Sequence, residues 1–383
     1  MRTGSFLLLT GFAVLSLNMS VQHALGASQP DQSHYFVYVG TYGKGIYAFR
    51  FDVKASKAQP LGMVGEVVNP SFLATDRDFR HLYAVSELEG KAEGSVASFS
   101  IDRGSGSLKP LNTRPAGGEA PCHLAVDHTG KTLVVANYVT GGVSSYPIEK
   151  DGSLGPMASL MTAKGTSVNK ERQEGPHAHE TVISADNRRV YVPDLGLDHI
   201  RIYRLDAGTA KLTPNDPPFG QVEPGRGPRH LAFSHDEKYV YVLNEIQPFV
   251  TVFRHDGSSG ALYRIQSAET IPHDFSGENS GAEIVLGRSG KYIYTSNRGH
   301  DSLQVFAIDP GNGTIRRIQI ISTGGKTPRG FAIDPTGQFL FAGNQDSNQV
   351  TIFQVNRETG ELSNTGEKFE VPSPVDVLFV PAK

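Results

Sequence analysis

The chain has 383 residues, 38% apolar and 20% charged, with 42 glycines and 23 prolines, the composition of a globular protein rich in turns. Its 36 basic and 39 acidic residues leave a net charge of −3 without a long run of either sign, which argues against a nucleic-acid binder or a polybasic membrane binder. One cysteine, Cys122, excludes an intramolecular disulfide and the paired-cysteine zinc motifs, and reads as a small buried residue near a strand start.

The first element is a leader. Arg2 precedes an apolar run from Phe6 to Leu17, followed by small residues up to Ala27. This pattern predicts a signal peptide over 1–27, cut between Ala24 and Ala27, and an exported domain, periplasmic or secreted, over 28–383. The run is short for a bilayer span of ~20 residues, so an uncleaved anchor is the lesser alternative. No later segment is apolar enough to cross a membrane, and none is expected to after cleavage.

Beyond the leader, one pattern recurs. A proline or small residue opens an apolar strand, a turn of the Asp/Ser/Thr-Gly-Lys kind follows, and a second strand ends in Asn or an acid. The clearest copies are Pro121-Cys-His-Leu-Ala-Val-Asp127, Pro228-Arg-His-Leu-Ala-Phe-Ser234 and Pro328-Arg-Gly-Phe-Ala-Ile-Asp334. Looser copies start at Pro70, Pro176 and Ala282, and a truncated one at Pro374. Each interval holds two further strands, such as Val143-Ser-Ser-Tyr-Pro-Ile148 and the one after the turn at Asp151-Gly-Ser-Leu154. Four strands per ~50 residues is the size of a propeller blade. The last copy stops after one strand, and Tyr35-Phe-Val-Tyr-Val-Gly-Thr-Tyr42 reads as its missing second strand. The expected fold is all-β: a seven-bladed β-propeller with four-stranded blades, its ring closed by the N-terminal strand, which also hides a sheet edge.

In such a ring the innermost strands line a channel. Two sets of equivalent positions fall at its mouth. The positions just after the blade starts read Ser71, His123, His177 with His179, Arg229 with His230, Glu283, Arg329 and Asp376. The ends of the second strands read Thr41, Glu87, Asn137, Asp194, Asn244 with Glu245, Asn297 with Arg298, and Asn344 with Gln345. Packing alone does not explain charged or imidazole groups in nearly every blade, although Asn and Asp at strand ends also serve as turn caps. His123, Asp194, His230, Glu283, Asn297, Arg298 and Arg329 are therefore candidate substrate-binding groups.

His177 and His179, at i and i+2, fall on one side of a strand. General base or substrate hydrogen bonding suits them; a metal would need ligands from distant blades. Arg229 and Glu245 sit at equivalent ends of one hairpin, where the arginine can bind an anion or stabilise an oxyanion. Arg298 and Arg329 come from the next two blades, and three arginines at one cavity suggest an anionic ligand. The nucleophile elbow, P-loop, dinucleotide fingerprint and His-Glu-x-x-His motifs are absent, so no cofactor and no metal are expected.

Taken together, Gly175-Pro-His-Ala-His179, Pro193-Asp194-Leu-Gly-Leu-Asp198, Gly227-Pro-Arg-His230 with Glu245, Ser296-Asn-Arg-Gly-His-Asp301 and Thr327-Pro-Arg-Gly-Phe331 resemble the bacterial 6-phosphogluconolactonase family of seven-bladed propellers, to which the fungal carboxy-cis,cis-muconate cyclase also belongs. The resemblance runs from about Tyr35 to Val380. It implies a lactonase activity without a required metal, with the histidine role on His179 or His177, the arginine role on Arg229, the glutamate role on Glu245 and a further arginine at Arg298. A predicted export signal sits poorly with a phosphorylated cytoplasmic substrate, so sugar lactones and other acidic lactones stay open. The expectation is hydrolysis of a small lactone by a monomer in carbohydrate metabolism. The alternatives are a muconate-type cyclase or isomerase, and an exported propeller that only binds ligands or proteins.

Overall fold

The computed structural model describes residues 1, 33–90 and 93–383; apart from Met1, the leader expected over 1–27 lies outside the described residues. From His34 onward the chain forms seven four-stranded antiparallel sheets arranged as propeller blades. The innermost strands of blades one to six are Leu73–Thr75, Pro121–Val126, Val182–Ile183, Pro228–Phe233, Ser280–Leu286 and Pro328–Ile333. Blade seven is composite. Its innermost strand is Pro374–Pro381, and its second strand is His34–Thr41 from the other end of the domain. Val37 pairs with Phe379 and Val39 with Val377 across this seam, so the ring closes as the sequence predicts.

The apolar core lies between blades. The side chains of each pleated strand alternate between the two faces of its sheet, and every face meets a neighbour. Phe51 of blade seven packs on Phe339 and Phe341 of blade six, while Phe36 and Tyr38 pack with Leu82, Ala84 and Phe99 of blade one. Tyrosine hydroxyls latch adjacent blades: Tyr38, Tyr83 and Tyr294 donate to the carbonyls of Gly106, Gly152 and Gly360 in the next blade's turn. Within blades, the repeated turn is held by its acid. Asp127 accepts from the Lys131 and Thr132 amides at 2.6 and 2.7 Å, and Asp334 does the same for Gln338 and Phe339 at 2.8 and 2.7 Å.

Two blade starts differ from the sequence reading. Ala178 bridges Asp194, the relation that Pro121 has to Asn137 and Pro228 to Asn244. The third blade therefore starts at Ala178 rather than Pro176. The Asp194 carboxylate accepts the His177 amide at 2.8 Å, which makes residues 175–177 part of the preceding turn. In the fifth blade Gly281 pairs with Asn297, one residue before Ala282.

Candidate active site

A recurrent bulge sets which side chains reach the channel. Pro121 pairs with Asn137 and His123 with Ala136, leaving Cys122 as the extra residue. The same skip isolates Arg229 between Pro228 and His230 and Arg329 between Pro328 and Gly330. An extra residue in one strand breaks the ladder and re-aims a side chain. Each blade thus offers two consecutive residues in place of one. With the corrected starts, the bulge position holds Cys122, His179, Arg229 and Arg329, and the position after it holds Phe72, His123, Glu180, His230, Glu283 and Asp376. Blade six has Gly330 there, because a Cβ would collide with the Val375 carbonyl of blade seven.

The second strands add the other wall: Glu87, Glu245 and Arg298 are among the positions read from the sequence, whereas Tyr42 and Tyr138 lie one residue beyond Thr41 and Asn137. The terminal Asn297 and Asp194 side chains instead bond to buried neighbours away from the channel. Asn297 donates to the Thr270 carbonyl at 3.0 Å and accepts from its hydroxyl at 2.8 Å, and Asp194 pairs with Arg201 at 3.1 Å. Both are fully buried, and neither borders the cavity. The next residue in each chain does: Tyr42, Glu87, Tyr138, Glu245 and Arg298 line a cavity of ≈ 320 Å³, together with Glu89, Cys122, Arg172, His179, Ser280 and Arg329.

Glu245 is the hub. Its Oε2 accepts from Arg229 Nε at 3.0 Å, is ion-paired with Arg298 Nη2 at 3.0 Å, and lies 3.6 Å from His179 Nε2. Its Oε1 accepts from Arg172 Nη2 at 2.7 Å. Arg229 also donates to the Ala282 carbonyl, and Arg298 to that of Gly281 at 2.9 Å. On the opposite wall Tyr42 donates to Glu87 Oε1 at 2.8 Å, while Arg329 lies 3.8 Å from that oxygen and over the Tyr42 ring. Burial alone would raise the pKa of Glu245, but Arg298, Arg229 and Arg172 outweigh it and hold the carboxyl well below its ordinary range. Arg298 is pushed down to about 10 by burial, against the pull of Glu245. Burial, then Arg229, His230 and Arg329, drive His179 well below the ordinary imidazole value, so it is neutral at pH 7.

His177 turns elsewhere. Its ring stacks on Tyr138 at 4.7 Å between centroids, with Nδ1 on the Tyr138 carbonyl and Nε2 on Glu174, both at 3.0 Å. It props Tyr138, whose own ring meets His179 edge-on at 5.3 Å. His123, His230 and Glu283 form the next layer of the channel and do not border the cavity. His230 Nδ1 lies 2.8 Å from Glu283, and the His123 ring packs on Phe72 at 3.8 Å. The acids of this layer tie blades: Asp376 accepts the Leu73 amide at 2.8 Å and Glu180 the Leu231 amide at 2.6 Å. Burial pushes both Glu283 and Asp376 up to about 7. Among the described residues, no group of three or more His, Cys, Asp or Glu side chains is arranged to hold a metal.

Sequence reasoning missed Tyr42, Tyr138 and Arg172. The first two sit one place beyond the strand ends, a shift that the alternation of the pleat would have indicated. Arg172 comes from the segment between Met161 and Val182, which has no counterpart in the repeat.

The family model of the seven-bladed β-propeller lactonases matches residues 36–379. A 6-phosphogluconolactonase of Bacillus subtilis is 35% identical over 90% of this chain and 98% of its own, and one of Formosa agariphila is 33% identical over 88% and 96%. Among solved structures, the periplasmic gluconolactonase of Pseudomonas aeruginosa superposes with a TM-score of 0.87 at 33% identity, covering 92% of this chain and all of its own.

Proposed function

Because the chain belongs to the seven-bladed β-propeller lactonase family, we propose that it hydrolyses the ring ester of a sugar lactone in the cavity around Glu245. The observation that carries this reading is one buried carboxylate shared by Arg229, Arg298 and Arg172 and held 3.6 Å from a neutral histidine. The arginines supply fixed positive charge where a carbonyl oxygen becomes an oxyanion. His179 is the general base: it is unprotonated at neutral pH, and its ordinary range is closer to neutrality than that of Glu245. Water attacks the lactone carbonyl carbon and its proton passes to His179. Arg298 and Arg329, both on the cavity wall, hold the tetrahedral oxyanion. Collapse breaks the ring C–O bond, and the departing alkoxide takes the proton back, leaving a hydroxy acid. Glu245 steadies the transient imidazolium, as a triad carboxylate does, without itself taking a proton. Arg229, fixed between Glu245 and the Ala282 carbonyl, keeps Glu245 in place.

With Arg229 behind the wall, the guanidinium groups of Arg172, Arg229, Arg298 and Arg329 outnumber the carboxylates of Glu87, Glu89 and Glu245 by a single charge, which favours a substrate that carries an anion of its own. The charged leader, and the periplasmic location given for the Pseudomonas neighbour, support action outside the cytoplasm. The test is turnover of glucono-1,5-lactone, its 6-phosphate and a carboxymuconolactone, each corrected for spontaneous hydrolysis, with Arg298→Ala alongside. Acid release well above background that falls by about 10²-fold or more in the variant supports the reading. Carboxymuconolactone opened without uptake of water, to a diene acid of unchanged mass, would instead identify an isomerase, and no turnover of any lactone by folded protein would leave a binding platform.

A further inference from the structure

Four guanidinium groups serve the cavity, and one is unlike the rest. The side chains of Arg229, Arg298 and Arg329 are 3%, 15% and 15% exposed, whereas that of Arg172 is 44% exposed. Arg229 and Arg298 are pinned by backbone carbonyls. Arg172 bonds only side chains, Glu245 Oε1 and the Tyr138 hydroxyl at 3.1 Å. Its segment is nevertheless well anchored beside it: Gln173 is fully buried and donates to the Leu195 carbonyl at 2.9 Å, and Ser167 donates to Asp198 at 2.5 Å. A fixed backbone thus presents a half-exposed arginine over the mouth, bonded to the outer oxygen of a carboxylate whose other oxygen already has two arginines.

We propose that Arg172 is the specificity-determining residue for lactones bearing an anionic group, and that it exchanges Glu245 for that group as the substrate enters. The exchange breaks one ion pair and makes another, and Glu245 keeps Arg229 and Arg298 on its other oxygen. A neutral lactone offers no replacement and leaves Arg172 on Glu245. The planar fork of an arginine fits a phosphate or a carboxylate equally. The departure also restores the full field of Glu245 at His179, which burial, then Arg229, His230 and Arg329, otherwise keep unprotonated beside Tyr138 and Cys122. Anion capture and strengthening of the base are then one event.

The proposal rests on the lactonase reading, and the experiment separates the two. Wild type, Arg172→Gln and Arg172→Lys are compared on glucono-1,5-lactone, its 6-phosphate and glucaro-1,4-lactone, the last two carrying a phosphate and a carboxylate. The ratio of kcat/KM for the anionic over the neutral lactone should fall about 10- to 100-fold in Arg172→Gln, mainly through KM, and recover partly in Arg172→Lys. The two anionic lactones decide which group is preferred. The acid limb of kcat/KM should also move to higher pH in Arg172→Gln, because Glu245 then acts on His179 with less competition. A ratio changed by less than about threefold overturns the proposal. If wild type hydrolyses no lactone, the lactonase reading fails by itself, and calorimetric binding of 6-phosphogluconate decides the role of Arg172: binding lost in Arg172→Gln supports it, and equal binding refutes it.

Discussion

Replacing Glu245 with glutamine should damage catalysis and stability together. The change keeps the shape and one carbonyl acceptor but removes the charge that Arg229, Arg298 and Arg172 share. Two of those cations are largely buried, and stripping the counter-ion from a buried pair costs about 3–5 kcal/mol. The retained acceptor places Glu245→Gln at the lower end, about 3 kcal/mol, and the exposed Arg172 adds little. For a domain spanning His34–Lys383 that is a fall in Tm of roughly 4 °C. In turnover, His179 loses the anion that steadies its protonated form, so kcat should fall about 10²–10⁴-fold. The assay is acid release from gluconolactone beside a thermal melt of the same preparation. A variant that keeps more than about a tenth of kcat and melts within about 1 °C of wild type would refute the assignment of Glu245 as shared counter-ion.

The two histidines should separate. His179→Gln is expected to lower kcat by about 10²–10⁴-fold, whereas His177→Gln should act through Tyr138 and cost under about tenfold, mostly in KM; comparable losses in kcat would contradict the distinction. Asp376 tests the blade ties. Burial raises its carboxyl to about 7 in the folded protein, above an ordinary value of about 4, so its contribution to stability is intact below pH ~4 and is lost as pH rises through about 7. Asp376→Asn removes that loss while keeping an acceptor for the Leu73 amide. Its Tm relative to wild type should rise between pH 5 and 8, and a pH-independent difference would exclude this account.

Fold and closure are legible in the sequence because each blade repeats the same demands: a strand opening at Pro121, Pro228 or Pro328, and an acid such as Asp127 or Asp334 that must bind its own turn. The candidate site is legible only to within a residue. Asn297 and Arg298 are adjacent and both polar, and only the pleat decides that the first caps a turn while the second faces the cavity. The bulge that delivers Arg229 and His230 to successive layers leaves no mark in composition. His177 and His179 look equivalent until Ala178, not Pro176, is found to bridge Asp194. Arg172 was out of reach for another reason: its segment belongs to no repeat, so periodicity carries no information about where it points.

The composite seventh blade has a kinetic consequence. Tyr35, Val37 and Val39 find their inner partners only at Pro381, Phe379 and Val377, so the first strand of the domain to leave the ribosome waits for the last. Until then Tyr35-Phe-Val-Tyr-Val39 is an apolar strand with an open edge, the kind of segment that pairs with other chains. Pairing so distant in sequence is slow to form. Ring closure therefore waits until the whole domain has been made, and until then the protein depends on whatever keeps that strand from finding the wrong neighbour.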